Sequence, residues 1–370
     1  MKRYLLLFLS ASLIISSCTE TNPSGPDPDD FDRKAILENW ADNIIIPALS
    51  DFSEKTESLK TAGNSFAENP NQQALESLRD EWKAGYLALQ HVSMFETSKT
   101  MEIRYRNNLN IYPVDTAEVK ENINQGNYNL KLPSEIDQQG FPTLDYLLYG
   151  LAGNEDEILS FYTSRENSSD YRNYVVDLVN RIDSLTDVVL NDWNSGFRDE
   201  FVNNSGNGAN SSIDMMVNDF IFYYEKNLRA GKIGIPAGVF SGTPLPQNVE
   251  GFYSGEFSKE LFMESLTATQ NFFNGKHFNS ETSGLSLSDY LDFLNSIKNG
   301  TDLTQLINQQ FELSRNKAEN LNSSFADQVE IDNSLMLQTY DELQKNVILL
   351  KVDMLQALNI NVDYVDADGD

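Results

Sequence analysis

Apolar residues at helical spacing run through nearly the whole chain, and they leave little room for any fold but packed helices. In residues 171–193, Tyr171, Val175, Leu178, Ile182, Leu185, Val189 and Trp193 step by 4, 3, 4, 3, 4 and 4. That is one stripe of an amphipathic helix. Tyr340, Leu343, Val347, Leu350, Met354 and Leu358 repeat the pattern near the C-terminus. The same reading predicts helices over 33–60, 72–99, 141–150, 153–164, 212–229, 257–273, 286–298 and 301–324. Breakers separate them at Ala62-Gly63-Asn64, at Asn69-Pro70-Asn71 and across the Gly/Asn/Ser-rich stretch 203–212. No run alternates with period two over a useful length, so no sheet is expected. Long helices with short links pack most simply as antiparallel bundles. The expected fold is all-α: two packed antiparallel helical bundles, residues 31–202 and 203–370, with a cleft between the halves. A single array around one core is the alternative. The Gly- and Pro-rich segment 229–255 reads as a long irregular loop lying against the junction, and loops of that length are uncommon unless functional.

The first residues read as a targeting signal. Lys2 and Arg3 precede an apolar run from Leu5 to Ile15, and the run ends at Ile15-Ser16-Ser17-Cys18. This predicts a signal peptide over 1–17 and a lipidation site at Cys18. A membrane span is the competing reading, but eleven residues at about 1.5 Å each cannot cross a hydrocarbon layer of about 30 Å. The polar, Pro-rich residues 18–30 are expected to form a disordered tether. The expected location is the cell envelope, most simply the outer membrane, with the lipid on Cys18 as the membrane partner. Cys18 is the only cysteine, so one chain can form no disulfide, zinc-thiolate site or catalytic thiol.

The net charge of −29 repels nucleic acid and anionic headgroups and gathers cations, which sets nucleic-acid binding aside. Several further segments then bear on ancestry. Gly140-Phe141-Pro142-Thr143-Leu144-Asp145-Tyr146-Leu147-Leu148-Tyr149-Gly150 resembles the signature of the imelysin family, Gly-x-His-x-x-Glu leading into an apolar helix. Pro142 stands at the histidine place and Asp145 at the glutamate place. Leu37 to Pro47 is similar to the family's first helix, and Trp82, Tyr86 and Phe95-Glu96 to its second long helix. Ile111 to Asp115 resembles the short element before the signature. Gly231 to Gly238 and Glu250 to Ser254 are similar to its mid-chain loop. Leu350 to Asp353 and the tail Asp366 to Asp370 resemble imelysin-like proteins of Bacteroidota. The resemblance covers about residues 33–370 and implies two bundle-like helical halves with a site in their cleft. It also implies one of two functions: founding members are described as envelope metallopeptidases, while others serve iron uptake or are regulated by iron.

A His and a Glu three apart on a helix share one face, which suits Zn²⁺ or iron. Pro142 has no ligand atom, so half of that pair is gone. Proline is well placed in a helix's first turn, and an aspartate there interacts favourably with the helix dipole. Asp145 could still bind an oxygen-loving cation with other carboxylates. Only His91 and His277 exist, in different halves, and no His-Glu-x-x-His run occurs. His91 lies near Glu96 and is a candidate for the cleft; His277 is expected to be solvent-exposed. Gly-x-Ser-x-Gly is absent, and Gly231 to Gly234 lacks the spacing of a phosphate loop. Asp366, Asp368 and Asp370 have the first spacings of a calcium loop, but the chain ends before a bidentate acid, and a frayed acidic tail fits better.

These residues favour a binding module over an enzyme: an imelysin-like envelope lipoprotein acting in metal or iron acquisition. The expected motif positions are Gly140, Pro142 and Asp145; the expected metal ligands are Asp145 and Glu96; His91, Lys232 and Tyr253 are the cleft candidates. Iron or another divalent cation is the implied cofactor, and a metal ion, a small ligand or an envelope protein the implied partner. A metallopeptidase rebuilt from carboxylates and His91, and an adhesion or scaffold protein with a vestigial cleft, are the alternatives.

Overall fold

A computed structural model describes residues 30–364. The signal peptide, Cys18, residues 18–29 of the tether and the acidic tail from Asp366 lie outside the described residues. The chain begins with α1 (Arg33–Asn39), α2 (Ile46–Glu68) and α3 (Gln72–Val92), then the short α4 (Lys99–Glu102), α5 (Tyr105–Leu109) and α6 (Thr116–Gln125). Next come α7 (Gly140–Tyr149), α8 (Glu155–Thr163), α9 (Ser168–Asp192), α10 (Arg198–Asn203) and α11 (Ser212–Phe222). The last are α12 (Ser258–Phe273), α13 (Leu287–Phe293), α14 (Leu303–Ala318), α15 (Phe325–Ile348) and α16 (Leu355–Leu358). π-helical segments at Trp40–Ile45, Trp193–Phe197, Tyr223–Gly234 and Leu349–Met354 continue several of them.

The expected stripe on α9 faces the core. Tyr171, Val175, Leu178, Ile182, Val189 and Trp193 are buried, and Leu185 is half-buried. Each fully buried side chain of this kind contributes about 1.5–3 kcal/mol. The main packing is α2 against α3 and α9, α14 against α15, α15 against Tyr223–Gly234, and α12 against α3. Phe272 of α12 meets Trp40, Phe95 and Phe220 with ring centroids 4.8, 5.3 and 5.5 Å apart. It thus ties together residues from before and after the 203–212 loop. From Asp32 onward the chain forms one compact unit.

Four local expectations are corrected. Helix α2 runs straight through Ala62-Gly63-Asn64 to Glu68. A Cβ at Gly63 would lie 2.8 Å from Val179 Cγ2, so this glycine permits close packing of α2 on α9 rather than breaking the helix. The helix expected over 72–99 stops at Val92, where Ser93 turns its hydroxyl back to the Leu89 carbonyl at 2.7 Å. The helix expected over 286–298 ends at Phe293, and Ile297–Lys298 pairs antiparallel with Thr301–Asp302. Asn299 and Gly300 between them have φ of 54° and 81°, the two left-handed residues a tight hairpin needs. Finally, residues 229–234 of the expected irregular loop are π-helical.

Candidate functional site

Helix α7 carries the segment 140–150, and both of its ends are fixed. Gly140 has φ +79°, and its Cα lies so close to α5 that an added Cβ would fall 2.3 Å from the Leu109 carbonyl oxygen. The Trp82 indole N–H donates to the Phe141 carbonyl at 3.0 Å. At the other end, Tyr162 donates to the Leu147 carbonyl at 2.6 Å, and Arg79 Nε donates to Leu148 at 3.1 Å. Pro142 is buried in the first turn, where its missing N–H costs nothing.

Asp145 is 2% exposed. Its Oδ2 accepts from the Tyr253 backbone N–H and its Oδ1 from that of Ser254, both at 2.8 Å. The carboxylate therefore clamps the turn between Gly251 and Gly255, which have φ of 69° and 77°. The Tyr253 ring packs on Tyr146 at 5.1 Å. Burial pushes the Asp145 carboxyl up to about 7, against the lowering effect of the two amides and with a smaller upward push from Glu250.

The clamped turn also carries Glu250, which is 2% exposed and pairs with the equally buried Lys232 ammonium. Lys232 also donates to Gln90 Oε1 at 2.9 Å, and Asn110 Nδ2 donates to Glu250 Oε1 at 2.7 Å. Tyr86 closes the chain by donating to Asn110 Oδ1 at 2.7 Å. Burial pushes the Lys232 ammonium down while Glu250 opposes it.

A second ionic cluster stands nearby. Arg106 of α5 donates through Nε to Glu96 Oε2 at 3.0 Å and through Nη2 to Asp219 Oδ1 at 2.8 Å. Asp219 Oδ2 also accepts the Glu96 backbone N–H at 2.5 Å. Burial pushes Asp219 up to about 6, against the lowering effect of Arg106. Arg106 and Lys232 share one cavity of about 140 Å³, lined also by Asn110, Tyr112, Tyr223 and Asn227. The π-helical segment Tyr223–Gly234 supplies Tyr223, Asn227 and Lys232 to this wall, and such segments recur at functional sites.

The expected residues thus fall into three places. Asp145 and Tyr253 meet directly, and Lys232 joins them through Glu250 on the same turn. Glu96 belongs to the Arg106 cluster, with Oε2 already engaged. His91 faces a different cavity, where its Nε2 lies 2.5 Å from Glu264 Oε1. His277, far away in sequence, lines that same cavity and is half-buried rather than open to solvent. Among the described residues no group of three His, Cys, Asp or Glu side chains could hold a metal ion. Sequence reasoning missed Arg106, Asp219, Gln90 and Asn110, because nothing local marks them. Glu250 lay within a quoted segment, yet only its burial against Lys232 gives it a role.

The buried Asp145 has a measurable signature. Because its carboxyl is pushed up to about 7, folding takes up a proton between about pH 4 and 7. The associated stability is complete below about pH 4 and is lost as pH rises through 7. Relative to Asp145→Asn, the wild-type chain should therefore lose stability from about pH 4 to about pH 7, by on the order of 1.4 kcal/mol per pH unit within that window, and the difference should level off above it. Urea titrations of both proteins at several pH values check this. A pH-independent difference would place the carboxyl at its ordinary value.

The helical architecture and the placement of segment 140–150 define an imelysin-type protein. The family model described as Imelysin matches residues 45–349, and the chain belongs to that family. Two solved structures share the fold. One is an imelysin-like protein from Psychrobacter arcticum 273-4, with a TM-score of 0.69 and 16% identity, covering 90% of this chain and 97% of that one. The other was solved under the name of an iron-regulated protein A precursor, from Parabacteroides distasonis ATCC 8503. Its TM-score is 0.70 at 16% identity, with the same two coverages of 90% and 97%. A search of curated proteins finds no match.

Proposed function

We propose that this chain is a ligand-binding protein of the imelysin family serving metal acquisition, iron above all, at the cell envelope, and that it is not a peptidase. The observation that carries this reading is the engagement of Asp145. Both of its oxygens accept backbone N–H groups, and Pro142 beside it offers no ligand atom. A zinc peptidase needs three protein ligands with an open position for water, and segment 140–150 is spent instead on fixing the turn that carries Glu250. The cavity beside Lys232 and Arg106 combines apolar and aromatic walls with a few polar side chains held by ion pairs and hydrogen bonds, as small-molecule sites do. The iron connection is supported by the name of the Parabacteroides distasonis neighbour. The envelope location rests on the sequence of residues 1–18, with Cys18 as the lipid-bearing position.

The test is a cleavage assay of the full mature chain on unfolded protein substrates, loaded in turn with zinc, ferrous and ferric ions. No chelator-sensitive cleavage is expected with any of them. Cleavage that a chelator abolishes and that Asp145→Asn also abolishes would establish the peptidase reading instead.

A further inference from the structure

Building on the ligand-binding reading above, we infer that the cavity between Arg106 and Lys232 takes a compact carboxylate anion, either free or as part of the ligand shell of a metal ion. The wall presents two cationic side chains, and none of the lining residues is an acid. The carboxylates that neutralise these cations, Glu96, Asp219 and Glu250, hold them without lining the cavity. An anion entering it meets two cationic residues and no acid on the wall itself. Arg106 has a donor to spare: Nε and Nη2 are engaged, while Nη1 is buried and has no partner. A charged N–H donor of this kind makes a strong hydrogen bond to a carboxylate oxygen. Asn227, Asn248 and Tyr112 line the same space, and their side chains can donate to an oxygen. At about 140 Å³ the cavity has room for several waters, and so for a short-chain dicarboxylate or one arm of a larger polycarboxylate.

A bare divalent cation fits this wall poorly, because hard cations want several free oxygen ligands. A metal carried by a carboxylate chelator would meet the wall through the chelator. This gives the metal-acquisition reading a chemical form.

The experiment is calorimetric titration of the full mature chain with malonate, with citrate and with ferric citrate, alongside zinc and ferrous ions. Saturable binding of at least one carboxylate is expected, and tighter binding of ferric citrate than of citrate would identify the metal-borne form. Asn227→Asp adds an acid to the wall outside the ion pairs and should weaken carboxylate binding at least tenfold while leaving the melting temperature unchanged. Arg106→Gln should weaken it too, with circular dichroism reporting whether that variant folds. Unchanged affinity in Asn227→Asp, or no binding of any carboxylate up to millimolar concentration, overturns the inference. If carboxylates fail while a bare metal ion binds, the binding function survives without this ligand class. If nothing binds, the binding function falls as well.

Discussion

Gly140→Ala is expected to cost about 3–5 kcal/mol, combining left-handed strain with overpacking. The φ of +79° alone disfavours any side chain, and the new Cβ would sit 2.3 Å from the Leu109 carbonyl oxygen and 2.6 Å from its carbon. Neither backbone can yield easily. Helix α7 is tied to Trp82 at one end and to Tyr162 and Arg79 at the other, while α5 is tied by Arg106 to Glu96 and Asp219. A loss of that size approaches the whole stability of a small domain. Gly126→Ala is the control: its φ is +62°, but no atom lies within 4 Å of the added Cβ, so the cost should be about 1 kcal/mol. Urea denaturation of the two variants separates strain from collision. Equal losses would mean that the contact between α5 and α7 yields.

The second large effect is expected at Lys232. Lys232→Met leaves Glu250 charged and 2% exposed, with Asp145 close enough to feel its charge. Breaking a buried pair in this way costs about 3–5 kcal/mol. Lys232→Met combined with Glu250→Gln removes the stranded charge, and the amide keeps an acceptor for Asn110. The double variant should therefore recover most of the loss. Lys99→Met removes the partner of Glu102, an acid whose side chain is 67% exposed, and it should leave stability almost unchanged. Denaturation midpoints of the four proteins form the comparison. A double variant no better than Lys232→Met would show that the ammonium, rather than the uncompensated acid, carries the stability.

The helices were legible in the sequence because their signal is local. The stripe from Tyr171 to Trp193 needs no knowledge of its partners, and burial follows it closely. Gly63 misled because a glycine that breaks a helix and one that lets α9 approach look alike until Val179 is in place. The hairpin at 297–302 carried its marker, Asn299-Gly300, but two residues per strand are too few for alternation to appear. Segment 140–150 was correctly tied to the family, yet what Asp145 does depends on amides 108 and 109 positions away. The Arg106 cluster likewise draws on three distant segments, none with a sequence signature. What sequence missed at the site was long-range pairing, and pairing decides the chemistry here.

Segment 140–150 is proposed to hold the Glu250 turn in place and to bind no metal. Anomalous diffraction from crystals soaked in zinc or iron tests it most directly. No peak is expected within bonding distance of Asp145, with the Tyr253 and Ser254 amides still on its two oxygens. A metal bonded to Asp145, with those amides displaced, would contradict it.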